Sequence, residues 1–173
     1  MDNVSIAMSR GDLNGIPQHA LPPGYGIRWY RPGDEHAWVR IHELAERLVE
    51  TSLGVYREQF GQEEGPLAQR QAYLCDARGL PIGTASAWFH DDWEGRPWGR
   101  VHWVAIVPDH QGRGLSRALM AEVCNRLVDL GHQRAYLTTS SARRPAIRLY
   151  RSFGFEPHIR NEEERRAWDR IQE

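Results

Sequence analysis

The sequence has 173 residues, 40% of them hydrophobic and 26% charged, with a formal net charge of −1. This length suits one domain with a core of its own, and a nearly neutral chain is a poor candidate for binding nucleic acid through phosphate attraction. No apolar run approaches the roughly 20 residues that cross a bilayer, and residues 1–10 lack the basic start and apolar stretch of a signal peptide. We therefore predict a cytoplasmic protein that binds neither nucleic acid nor membrane.

The reactive residue types restrict the chemistry. All 22 Lys and Arg positions are arginine, so no lysine can form a Schiff base or act as a base. The eight histidines include no His-x-x-x-His pair and the only cysteines are Cys75 and Cys124, so we predict no metal site. Both cysteines lie among apolar residues of predicted regular elements, which is typical of buried free thiols.

Composition and periodicity divide the chain into an arm and one domain. Residues 1–23 are rich in Gly, Pro, Asn and Asp, which predicts an irregular N-terminal arm before a domain at 24–173. In chain order the domain is predicted to hold strand 25–31, a helix from Asp34 to about Val49, an uncertain segment 51–71 with a short helix, strands 72–76 and 82–90, a polar loop 91–99, strand 100–107, helix 115–130, strand 134–139, helix 145–153, strand 156–159 and a charged helix containing Trp168. This order indicates an α/β (α+β) fold, a mixed sheet with helices on it.

Residues 107–116 join a strand to a helix and carry two glycines, Gly112 and Gly114. The first N–H groups of a helix lack internal partners and carry the positive end of the helix dipole, so a phosphate can bind there. Arg113 and Arg117 add positive charge. A glycine-rich turn without a ligand is the simpler interpretation of one Gly-x-Gly. Other phosphate motifs fit poorly, because one requires Lys and another requires Gly in place of Arg117.

Two motifs resemble those of the GNAT superfamily of acyl-CoA-dependent N-acyltransferases. Arg/Gln-x-x-Gly-x-Gly/Ala reads here as Gln111 to Ser116, with Gly114 in place. Ala-x-x-Leu-Tyr-x-x-x-Gly-Phe is present in full from Ala146 to Phe155. The resemblance implies a single-domain GNAT-like fold, which is a twisted, mixed, mostly antiparallel sheet flanked by helices, with a parallel pair that splays apart at the cofactor site. It also implies an acetyltransferase with acetyl-CoA as acyl donor and without a metal.

The same resemblance implies the cofactor-binding residues. The backbones of Val104, Ala105 and Ile106 would pair with the pantetheine arm, since an extended amide-bearing ligand can satisfy free N–H and C=O groups of a strand. Arg143 stands where many relatives have an asparagine that contacts the cofactor. It and Arg144 either reach cofactor phosphate or carbonyl groups or are solvated. The pyrophosphate would lie against Gln111, Gly112, Arg113, Gly114, Leu115, Ser116 and Arg117.

Tyr150 of the second motif is the predicted catalytic acid, which would protonate the departing coenzyme A thiolate. A tyrosine has a reference pKa of about 10, so at neutral pH it holds a proton to give. The alternative role for Tyr150 is a half-buried aromatic that packs its helix on the sheet.

No carboxylate marks the general base. Some family members use a Glu at the position of Thr138 and others use a Glu near Arg100, and neither position is acidic here. His102 shares a strand face with Arg100, and its reference pKa of about 6.5 suits proton acceptance. We predict His102 as the catalytic base; a structural histidine and a base that acts through water stay open.

The amine acceptor is predicted to contact residues 51–71, residues 89–99 and the end of the chain. Within 89–99, three carboxylates stand beside two indoles, which suits a cationic amine or a solvated loop anchored by its tryptophans: Asp91, Asp92, Glu94, Trp93 and Trp98. We expect direct acetyl transfer to a primary amine of a small molecule or peptide. An acyl-CoA-binding regulatory module, a nucleotide-binding module and a homodimer remain open.

Overall fold

Seven strands and six helices account for most of the computed structural model, which describes residues 3–45 and 48–172. The strands are β1 Ser5–Arg10, β2 Gly26–Trp29, β3 Gln71–Cys75, β4 Pro81–Trp93, β5 Arg96–Ile106, β6 Ala135–Ser140 and β7 Glu156–His158. The helices are α1 Asp34–Ala45, α2 Leu53–Phe60, α3 Glu64–Arg70, α4 Leu115–Asp129, α5 Arg144–Ser152 and α6 Glu162–Gln172. No helix within these residues is both long and apolar enough to cross a membrane.

The strands form one mixed sheet in the order β2-β3-β4-β5-β6-β1-β7. Every neighbouring pair is antiparallel except β5 and β6. That parallel ladder has only two steps, Gly99 with Ala135 and Arg100 with Tyr136. Beyond Arg100 the two strands separate, so the expectations of a mostly antiparallel sheet and a splayed parallel pair are confirmed.

The prediction of an irregular arm at 1–23 was wrong for β1, which lies inside the sheet between β6 and β7. Ile6, Ala7 and Met8 are fully buried. The turn-forming residues that follow dominate the composition of the segment and hide a six-residue strand whose partners lie at the other end of the sequence. Arg10 fixes the end of β1, because its Nη1 donates to the Phe153 carbonyl oxygen at 2.6 Å.

Burial follows the predicted helical faces. In α4 the apolar residues at three- and four-residue spacing pack on the sheet, as the amphipathic pattern predicts: Leu115, Leu119, Val123 and Leu127. Trp38 and Ile41 do the same for α1 and are fully buried. Cys75 and Cys124 are buried free thiols, as predicted.

Three boundaries differ from the sequence prediction. Leu48 and Val49 lie outside any helix, while Glu46 and Arg47 fall outside the described residues. The uncertain segment 51–71 holds two helices, α2 and α3, rather than one. The predicted polar loop at 91–99 is instead the tip of a long β4–β5 hairpin that turns at Glu94 and Gly95.

Candidate active site

A β-bulge at Trp103 shapes the gap between β5 and β6. Thr84 pairs with Ala105 and Ser86 with His102, so two residues of β5 lie opposite one residue of β4. Trp103 has a φ of +51°, a conformation that non-glycine residues rarely adopt. A bulge bends its strand and increases the local twist. Strain of this kind clusters at functional sites, and here it lies where β5 has left β6.

One cavity, which we call the loop cavity, lies between β5 and the starts of α4 and α5. Its volume is about 380 Å³. Nine of the residues predicted from sequence to bind cofactor line it: Val104, Ala105, Ile106, Gln111, Gly112, Gly114, Leu115, Ser116 and Arg143. The Gln111 side chain is held in place, since its Nε2 donates to the Ile106 carbonyl oxygen at 2.7 Å.

The start of α4 presents unsatisfied backbone donors to the loop cavity. Gly112 and Gly114 have φ of +73° and +78°, the left-handed region that favours glycine, and a Cβ at either would meet no atom within 4 Å. Within the described chain, the N–H groups of Gly112, Gly114 and Leu115 donate no hydrogen bond, and no side chain caps the helix. Free backbone N–H groups that face open space at the start of a helix suit the binding of an anion.

The four arginines near this cavity divide into two groups. Arg143 lines the loop cavity. Arg113 is exposed and turns away, donating to the Tyr25 hydroxyl at 3.2 Å and to the Asp109 carbonyl at 3.0 Å, and Arg117 is exposed. Arg144 donates to the Arg170 and Ile171 carbonyls at the end of α6. For Arg143 and Arg144 the sequence left open either contact with the cofactor or exposure to solvent. Arg144 has neither role here, because its side chain holds the end of α6.

A second cavity, the splay cavity, fills the gap between the separating strands and has a volume of about 320 Å³. Its walls are residues 100–104 of β5 and 138–140 of β6, closed by Asn3, Ser5, Leu48, Val49, Gln59, Arg143 and Tyr150. Val104, Arg143 and Tyr150 line both cavities. The two cavities therefore meet at the side chain of Tyr150.

Tyr150 is buried at this junction, with 7% of its surface exposed. Burial raises the pKa of its phenol to about 12, against the opposing effect of the nearby Arg143 charge. The phenol therefore keeps its proton throughout the neutral range and can donate it to a group in either cavity.

His102 lies in the splay cavity and is held by Gln59 of α2. Trp103 Nε1 can only donate, and it points at Gln59 Oε1 from 3.2 Å. His102 Nε2 lies 3.0 Å from the same oxygen, so Nε2 carries the hydrogen and Nδ1 holds the lone pair. Burial, aided by the Arg100 charge, holds the pKa of His102 well below its usual range. The imidazole is therefore neutral at pH 7.

The residues predicted to recognise a cationic amine lie elsewhere. Trp93 stacks on Tyr136 at 4.1 Å and Trp98 packs against Trp93 edge-on, both buried in a cluster of their own. Glu94 lies 3.8 Å from the His158 ring. None of them is among the described residues that line the splay cavity. Only Gln59 of the predicted acceptor segments does so, and sequence reasoning missed Asn3 and Ser5 altogether.

A family model of the acetyltransferase (GNAT) family matches residues 36–155. The chain belongs to this family. It is 33% identical over 150 residues to a mycothiol acetyltransferase of Thermomonospora curvata, in an alignment that covers 81% of this chain and 47% of that relative. The chain thus spans about half the length of the curated relatives it matches.

Solved structures share the fold. A GCN5-related N-acetyltransferase from Sphaerobacter thermophilus superposes with a TM-score of 0.70 at 22% identity, covering 90% of this chain and 49% of that one. The ribosomal-protein-S18-alanine N-acetyltransferase of Escherichia coli gives 0.62 at 22% identity, covering 78% and 79%. These similarities show that the chain has the fold of this family.

Proposed function

We propose that the protein transfers an acetyl group from acetyl-CoA directly to a primary amine of a small molecule or peptide. One observation carries the proposal: the loop cavity and the splay cavity meet at Tyr150, so a donor in the first and an acceptor in the second would react beside a buried phenol. The name of the Thermomonospora relative supports acetyl transfer, and nothing in it fixes the acceptor of this chain.

The loop cavity suits the donor. In our proposal the free N–H groups of Gly112, Gly114 and Leu115 bind the pyrophosphate, and Ser116 adds a hydroxyl. The edge of β5 that faces away from β4 accompanies the pantetheine arm through the backbones of Val104 and Ala105. The Ile106 carbonyl is already occupied by Gln111. Bound in this way, acetyl-CoA supplies the thioester carbon that the amine attacks.

Two side chains would move protons. As the amine nitrogen forms its bond to the acetyl carbon and the carbon–sulfur bond breaks, Tyr150 Oη donates its proton to the departing sulfur. His102 Nδ1 accepts the proton that the amine loses, while Gln59 holds the ring. Because the pKa of His102 is depressed, its Nδ1 carries no proton at pH 7 and binds one only weakly, which suits an amine that arrives largely neutral.

The test is twofold. Acetyl-CoA at millimolar concentration should raise the unfolding temperature of the protein, because a ligand that binds only the folded state stabilises it. Free coenzyme A thiol should then appear when an amine is added, and the N-acetyl product should be found by mass spectrometry. Stabilisation without thiol release from any amine would instead favour a non-catalytic acyl-CoA-binding module. This alternative is tested because neither of the usual positions of the catalytic base holds a carboxylate. If acetyl-CoA does not stabilise the protein, the donor site is wrong.

A further inference from the structure

Arg100 enters the splay cavity from the last step of the parallel ladder and is poorly satisfied there. Its Nη2 donates to Thr138 Oγ1 at 3.3 Å, and the guanidinium lies 5.4 Å from the centre of the Tyr136 ring. Its Nε is enclosed and has no hydrogen-bond partner among the described residues. Burial lowers the pKa of Arg100, yet a guanidinium stays charged in proteins.

Among the residues that the structure describes, no acidic side chain pairs with this charge. The described residues that line the splay cavity include two arginines, Arg100 and Arg143, and neither Asp nor Glu. In the described chain Arg100 forms no ion pair. His102, whose pKa the Arg100 charge helps to lower, is neutral. Since a partly buried charge without a counter-ion is costly, a bound anion would stabilise this site.

Polar residues of β6 line the same space. Thr138 accepts the hydrogen bond from Arg100 Nη2, and Thr139 follows it along the strand. Carboxylate and phosphate oxygens accept bidentate hydrogen bonds from a guanidinium, and such charge-assisted bonds are about twice as strong as neutral ones. The splay cavity therefore offers an anion the guanidinium of Arg100.

We propose that the acceptor amine carries an anionic group, a carboxylate or a phosphate, which Arg100 binds while the amine lies near Tyr150. This inference rests on the proposed acetyl transfer and names the acceptor class for it. It replaces the expectation that acidic residues of the β4–β5 hairpin bind a cationic amine, since those residues lie outside the cavity.

Strand geometry limits the spacing between the two groups. Arg100 and Val104 are four residues apart on β5, roughly 13 Å between Cα atoms for a regular strand, and the bulge at Trp103 shortens this distance. A series of acceptors in which a growing carbon chain separates the amine from the anion should therefore show one preferred length.

The experiment measures kcat/KM by thiol release for glycine, β-alanine, γ-aminobutyrate and ε-aminohexanoate, each beside its neutral amide. Aminoethyl and aminopropyl phosphate form a second arm, which tells a carboxylate site from a phosphate site. We expect at least one anionic acceptor to exceed its neutral counterpart by about 10- to 100-fold, as for a hydrogen bond to a charged group. If the amides match or exceed the anions at every length, the inference is overturned.

Variants connect the preference to Arg100. Arg100→Gln should lose the preference mainly through a higher KM, with the neutral amides little affected, and Arg100→Lys should recover part of it. Arg78→Gln removes the same charge from an exposed side chain on the β3–β4 turn and should behave as the parent. Thr138→Val, which removes the hydroxyl that holds Arg100, serves if Arg100→Gln does not fold. An equal loss for anions and amides in the folded variants would contradict the proposal.

A binding measurement separates the two ways of failing. With coenzyme A present, at least one anionic compound of the series should raise the unfolding temperature of the parent protein and leave that of Arg100→Gln unchanged. If that holds but no amine releases thiol, acetyl transfer is wrong and the anion site stands. If thiol is released equally from acids and amides, acetyl transfer stands and the anion site is wrong.

Discussion

At the scale of single residues, the environment of Tyr150 decides what it can do. The chain has six tyrosines. Tyr150 differs from a tyrosine at the surface because it lies buried where two cavities meet, with its pKa raised to about 12. The fold thus keeps the proton on Tyr150, as the proposed protonation of a leaving thiolate requires.

Tyr150→Phe should lower kcat by about 10²- to 10⁴-fold, the usual contribution of a general acid. The KM for acetyl-CoA should change little, because the ring still fills the junction of the two cavities. Tyr30→Phe is the matched control: its hydroxyl donates to Glu35 at 3.1 Å, away from both cavities. If turnover by Tyr150→Phe equals that of the control, Tyr150 is only a packing residue.

His102 makes stability depend on pH with a defined sign. Its pKa in the folded protein is depressed, while in the unfolded chain it is near 6.5. The unfolded state therefore binds the proton more readily than the folded state. The free energy of unfolding is thus not reduced by His102 above pH 6.5, and it declines as the pH falls below that value. Urea titrations across this range should give a smaller slope for His102→Gln than for the parent. His132, whose pKa burial also lowers, keeps part of the slope in both proteins, and equal slopes would show that His102 is solvated.

At the scale of elements, the start of α4 was predictable because its signals are local. A strand, two glycines and an amphipathic helix follow one another within the segment, and the left-handed conformations of Gly112 and Gly114 are what such glycines allow. The bulge at Trp103 was not predictable, because it depends on the register of β5 against β4. The Arg100 site was missed for the same reason: it needs β6 beside β5, and β6 lies beyond α4 in sequence.

Gly114→Ala should affect both stability and donor binding. A left-handed alanine costs roughly 1–2 kcal/mol, and the new methyl group would occupy the space proposed for phosphate. Gly79→Ala is matched in conformation, with φ of +81° and no atom within 4 Å, but lies in the β3–β4 turn. We expect similar losses in the free energy of unfolding from both, and weaker acetyl-CoA affinity from Gly114→Ala alone. Equal affinities would remove Gly114 from the donor site.

At the scale of the whole molecule, the first and last parts of the sequence build one wall of the site. β1 lies between β6 and β7, and Asn3, just before it, bonds Ser140 at the end of β6. Asn3 and Ser5 thereby close the splay cavity. Composition could not predict this arrangement, because the six residues of β1 gain their structure only from partners at the far end of the chain.

Met8→Ala tests whether β1 belongs to the core. Met8 is fully buried, so its truncation should lower the free energy of unfolding by about 2–5 kcal/mol. Val128 is 45% exposed on α4, and Val128→Ala should stay within about 0.5 kcal/mol of the parent. Chemical denaturation measures both. A change at Met8 as small as that at Val128 would mean that residues 5–10 form a loose arm.

The position of β1 also sets the order in which the protein can assemble on the ribosome. The bond between the Val4 N–H and Ser141 Oγ joins residues 137 positions apart, and closing so long a loop is slow. At about 5–20 residues per second, β1 waits on the order of ten seconds for β6 and β7 to be synthesised. Throughout that interval Ile6 and Met8 have no place in a sheet, so neighbouring nascent copies can compete for this strand. The wall of the splay cavity that Asn3 and Ser5 build therefore forms only after β6 has been synthesised.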